Sequence, residues 1–234
     1  MEAFLVEYKS VITRILEISA ALVGLILYKK YSKNSAKYFI WFLVYLSIGD
    51  FINTYVYYIK NDGIFSFLKG TVFVNNTWWS TLFWKIGAIL FFSFYYSKIL
   101  ENIRFKNVIR YCGYAFFVFC ITYIILNWEY YFIKDFPIIR ILGAIIVLLC
   151  SVFYFIEVLL SDKILTFYKS LNFYISAAIF IWWLITTPLV FYDIYNAKQD
   201  WNFIFLRWQI YLFVNALMYS TFTFALIFCK PDVK

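Results

Sequence analysis

Seven apolar stretches, separated by short charged loops, fill nearly all of this 234-residue chain. Crossing the hydrocarbon of a bilayer takes ~20 consecutive apolar residues of helix. Lipid also demands that every backbone polar group be satisfied internally, which helices do within one segment. The stretches cover 10–28, 38–59, 78–96, 108–127, 137–160, 171–192 and 203–229. They predict an all-α integral membrane protein, a seven-transmembrane-helix bundle forming one polytopic domain over 1–234. Pro137 suits the first turn of a helix, where its missing N–H costs nothing, and Pro231 follows the last stretch.

Composition supports the same class. Hydrophobic residues make up 65% and charged residues 15%, against about half and a quarter in soluble domains. No polar segment is long enough for a second domain. No basic segment leads into a short apolar run and a small-residue cleavage site, so no removable signal peptide is expected.

The distribution of lysine and arginine sets an orientation. Loops on the C-terminal side hold twelve basic residues, with Lys29–Lys37 and Lys98–Arg110 the densest, and loops on the other side hold seven. The N-terminus is therefore expected outside and the C-terminus in the cytoplasm. The net charge of +8 lies between lipid-length spans. It predicts contacts with anionic lipid headgroups rather than nucleic acid. Short loops suggest a bacterial cytoplasmic (inner) membrane. Trp78, Trp79, Trp84, Trp128, Trp201 and Trp208 fall near the outer interface, where an aromatic belt is expected. The longest outer loop, 60–77, has two apolar runs around Lys69-Gly70 and suggests a hairpin or an interfacial lid.

Several chemistries are excluded by residue type. The chain has no histidine, which removes His-ligated zinc and haem and Ser-His-Asp catalysis. Cys112, Cys120, Cys150 and Cys229 lie within or at the ends of spans without CxxC pairing, and read as buried apolar residues. The last span has no lysine for a retinal Schiff base, as rhodopsins require. G-protein-coupled receptor motifs, the Pro-Gln pairs of PQ-loop sugar transporters and the full intramembrane aspartyl protease signature are also missing. No cofactor, no metal and no enzymatic activity are expected.

The informative residues are charges within the spans. Glu17, Asp50 and Lys85 fall inside the first three, and Arg14 precedes Glu17 by one helical turn. Each ionised group at mid-bilayer costs ~2.5–3.5 kcal/mol on insertion scales, so such groups face the bundle interior. At ~1.5 Å per residue, Glu17 and Lys85 lie ~10 Å and Asp50 ~13 Å below the outer ends of their spans. Helices running in alternating directions thus bring three charges to one level, which predicts an outward-facing polar pocket. Glu17 and Asp50 would accept hydrogen bonds or hold an ion, Lys85 would be their counter-charge, and Asn53, Thr187 and Asn215 would add hydrogen bonds. Pro188 removes one helix hydrogen bond and would act as a hinge. The competing expectation is a buried Asp50–Lys85 or Glu17–Lys85 pair that only fixes helix register. Glu157, near Lys163 at the inner end of the fifth stretch, reads as a snorkelling or interfacial residue. The function predicted is receptor-like or sensory binding of a small ligand or ion entering from outside, with passage of the signal to a cytoplasmic or membrane partner. The alternatives are a small secondary transporter or ion/proton-coupled carrier, and a non-catalytic membrane subunit or scaffold.

Overall fold

The computed structural model describes residues 2–60, 63–195 and 201–231; Asp62, Lys198, Asp200 and Lys234, charged residues of the loops and the C-terminus, lie outside them. Among the described residues the fold is helical throughout, without strands. The long helices are α1 (Glu2–Ile26), α2 (Ala36–Asn53), α3 (Ala88–Ile99), α4 (Ile103–Leu126), α5 (Pro137–Leu159), α6 (Leu171–Tyr195) and α7 (Trp201–Phe228). A turn at Thr54 carries α2 on into Tyr55–Lys60. Ahead of α3 the rod already runs through Thr77–Ser80 and a π turn, Thr81–Gly87. Pro137 opens α5, as its fixed φ and missing N–H favour.

Five rods are long and apolar enough to cross a membrane: Ala36–Ile59, Ile103–Leu126, Pro137–Leu159, Leu171–Tyr192 and Trp201–Phe228. Two of the expected spans differ for visible reasons. Lys9, Arg14 and Glu17 dilute α1, and the π turn divides the 77–99 rod. The 60–77 loop forms two short 3-10 turns, Ser66–Leu68 and Val72–Val74, in place of the expected hairpin. Gly70 between them takes φ +82, a conformation glycine adopts without penalty.

The helices close into a ring. α1 packs against both α2 and α7, α7 against α6, α6 against α5, and α5 against α3. The α2–α3 seam is mostly aromatic, with Phe42 stacked on Phe91 at 3.9 Å and Tyr45 on Phe83 at 3.8 Å between centroids. α4 lies outside the ring against α3 and α5. It buries only Ile109, Gly113, Phe116, Cys120 and Ile124, a single stripe at three- and four-residue steps. Val108, Tyr111, Tyr114, Val118, Ile121 and Ile125 on its other faces are exposed, the pattern of a helix that meets hydrocarbon on most sides.

Polar cross-links pin this ring. The Tyr96 hydroxyl donates to Ser176 Oγ at 2.8 Å and lies 3.2 Å from Ser151 Oγ, joining α3, α6 and α5. In the α1–α2 connection, Tyr31 donates to the carbonyls of Leu226 (2.9 Å) and Cys229 (2.8 Å). Lys30 Nζ donates to those of Leu226 and Ile227. These donors satisfy carbonyls that the last turn of α7 leaves without helical partners, and the lysine charge complements the helix dipole there.

Candidate functional site

Inside the ring, toward the end from which α1 starts, lies a cavity of about 590 Å³. Its wall includes Glu17, Asp50, Lys85 and Asn215, four of the six binding residues predicted from the sequence. They come from α1, α2, the π turn and α7, so the shared depth corresponds to a shared space.

Their partners differ from those expected. Asp50 pairs with Arg14 and not with Lys85: Arg14 Nε donates to Asp50 Oδ2 at 3.1 Å. Lys85 Nζ instead meets Asp135, a residue just ahead of α5. Asp135 also accepts from Arg140 at 3.1 Å, and Arg140 donates to the Tyr211 hydroxyl at 2.9 Å. Two groups of charges result, Arg14–Glu17–Asp50 on α1 and α2, and Lys85–Asp135–Arg140 across the cavity wall. Within the π turn the angular step per residue differs from that of an α-helix. A 3.6-residue periodicity therefore does not give the direction of Lys85. Burial raises the pKa of the Asp135 carboxyl, but the charges and hydrogen bonds of Lys85 and Arg140 outweigh it and hold it below its ordinary value.

Glu17 has the most unusual surroundings. Its residue is only 2% exposed, and its Oε1 has no hydrogen-bond partner among the described residues. Asp50 lies close enough to repel it, Arg14 to attract it, and the Tyr219 hydroxyl of α7 faces it. A buried carboxylate oxygen without a donor is costly, and here it sits in the wall of a cavity.

The other predicted residues are placed differently. Thr187 bonds back to the carbonyl of Trp183 and is absent from the cavity wall; its neighbour Thr186 lines the cavity and donates to the carbonyl of Trp182 at 2.8 Å. Successive helix positions are ~100° apart, and that rotation takes Thr187 off the wall that Thr186 lines. Asn53 is half-buried with Oδ1 unpartnered, outside the cavity wall. Asn215 Oδ1 accepts from Trp182 Nε1 at 2.6 Å. Pro188 sits in α6 without interrupting the helix. Glu157 accepts the backbone N–H groups of Glu101 and Asn102 and so caps the connection that follows α3, while Lys163 pairs with Glu101.

Sequence reasoning missed several wall residues. Arg140 and Arg207, two of the seven basic residues assigned to the outer loops, and Trp84 and Trp208, placed in the expected belt, all line the cavity. Lys9 Nζ lies 2.8 Å from the centroid of the Trp208 ring. Trp182, Trp183, Tyr211 and Tyr219 complete an aromatic lining. Trp128 and Trp201, by contrast, are exposed as belt residues would be. Among the described residues no group of histidine, cysteine, aspartate or glutamate side chains could hold a metal ion. Comparison of the chain with protein-family models, curated proteins and solved structures finds no match in any of the three.

Proposed function

We propose that the chain crosses a bacterial inner membrane seven times, N-terminus outside, and that the cavity opens outward and binds a small cationic ligand or cation in a receptor-like role. The observation that carries this reading is Glu17, a buried carboxylate with an unpartnered oxygen on the wall of a 590 Å³ cavity. Pockets of ~300–1,000 Å³ suit small molecules. Ring faces attract cations, and Trp182, Tyr211 and Tyr219 share the wall with Glu17 and Asp50. Lys85 and Arg140, sharing the single carboxylate of Asp135, leave that part of the wall positive. A ligand would therefore bind with its cationic group toward Glu17. The seven-span count is supported by where the polar residues of the two less apolar rods lie. Glu17 and Lys85 line the cavity and Arg14 is bonded to Asp50, so these charges have partners or a cavity other than lipid.

The test is a thermal-shift screen of primary and quaternary amines and alkali cations on the full chain in lipid nanodiscs. At least one probe should raise the unfolding temperature saturably, and Glu17→Gln and Asp50→Asn should each abolish the rise. A wild type that responds to none, or variants that respond as well as the wild type, would overturn the reading. Carriage across the membrane is the second reading, favoured by Pro188 lying two residues from the cavity-lining Thr186 in α6. Accumulation of the responsive probe in proteoliposomes would select it.

A further inference from the structure

A second cavity, of about 670 Å³, lies at the opposite end of the bundle, where α7 stops. We propose that it binds a phosphate-bearing anion. Six lysines line it, and they converge from four parts of the chain. Lys33 and Lys37 come from the α1–α2 connection and the start of α2, Lys98 from the end of α3, Lys163 and Lys169 from the α5–α6 connection, and Lys230 follows α7. Among the described residues one carboxylate, Glu101, shares the wall, and it is already engaged by Lys163 Nζ at 2.7 Å. The cavity therefore concentrates positive charge with little internal compensation. Charges gathered in a concave wall reinforce one another's potential and draw in a counter-ion.

The donors suit phosphate in kind as well as in sign. Lysine ammonium groups are compact point charges that bind phosphate oxygens, and the hydroxyls of Thr166 and Ser170 add neutral donors. The volume exceeds that of bare phosphate and accommodates a phosphorylated small molecule or the headgroup of an anionic phospholipid. Both present the same chemistry to the wall. The inference is independent of the cavity near Glu17, since the two share no lining residue.

The test uses the full chain in nanodiscs at fixed ionic strength, because surface charge effects are screened by salt. One arm titrates inorganic pyrophosphate into phosphatidylcholine discs. The other replaces part of the phosphatidylcholine with phosphatidylglycerol. The unfolding temperature should rise saturably in at least one arm: a response to pyrophosphate identifies a soluble phosphate compound, and a response to phosphatidylglycerol alone identifies a headgroup. The double variant Lys37→Gln/Lys169→Gln should weaken the response by about tenfold, the equivalent of ~1.4 kcal/mol. Lys37→Arg/Lys169→Arg should retain it, which separates lost charge from lost folding. Lys106→Gln removes a lysine from the start of α4, outside this cavity, and should change nothing. No response in either arm, or an equal loss in Lys106→Gln, would overturn the proposal in favour of diffuse surface charge.

Discussion

Replacing Glu17 with leucine should make the protein more stable while removing its response to cations. On the proposed seven-span reading, replacing a charged residue within the membrane by leucine is worth at most ~3–4 kcal/mol on insertion scales. The environment of Glu17 reduces that gain. Arg14 attracts the carboxylate and Tyr219 faces it, and losing the second contact strands a buried hydroxyl at a cost of ~1 kcal/mol. Removing the repulsion from Asp50 adds back a little. The balance is a stabilisation of ~1–2 kcal/mol, because burying an unpartnered polar atom is costly and leucine has none. For a chain of this size each kcal/mol moves the melting temperature by ~2–4 °C, so Glu17→Leu should melt about 2–8 °C higher. Thermal unfolding in nanodiscs, followed through the fluorescence of the nine tryptophans, measures this directly. A lower melting temperature would show that Glu17 holds the helices together, and the binding role assigned to its free oxygen would lose its basis.

Two further outcomes test the frame around the site. Asp135→Asn should cost ~2 kcal/mol, less than the ~3–5 kcal/mol of a fully buried pair, because the Asp135 side chain is 39% exposed and partly screened by solvent. Since Lys85 and Arg140 hold the Asp135 pKa below its ordinary value, its contribution is complete above the usual carboxylate range, near pH ~4, and fades as pH falls through the lowered value. The difference in melting temperature between wild type and Asp135→Asn should therefore be constant near neutrality and shrink in acid; a difference that instead grows in acid would contradict the assigned pairing. Gly49→Ala should destabilise by ~1–3 kcal/mol. Its methyl group would stand 1.8 Å from Phe83 Cε1, in a ring already stacked on Tyr45 and Trp79, and chemical denaturation of the variant would show the loss.

Hydropathy and helical rise made much of this arrangement readable, because both depend on residue order alone. The rods begin and end within a few residues of the expected limits, apart from an earlier start for α1. The level shared by Glu17, Asp50 and Lys85 follows from rise per residue, and the three do line one cavity. Pairing was less legible, because it depends on rotation and on loops. Asp135 lies in a connection whose path no periodicity describes, yet it captures Lys85. Arg14 was seen as a neighbour of Glu17, one turn away, but its guanidinium reaches across to α2. Trp84 and Trp208 have the composition and depth of belt residues; only the closure of the ring turns them inward.

That closure also orders events in time. α1 makes its main contacts with α2 and with α7, the helix farthest from it in sequence. During synthesis the early segments emerge first, so α1 presents Arg14 and Glu17 long before Tyr219 exists to face that carboxylate. Asp50 arrives with α2 and can pair with Arg14 at once. Glu17 has to wait for five more helices. The cavity is therefore the last part of the molecule to come into being, and its most costly residue spends assembly without the surroundings that justify it.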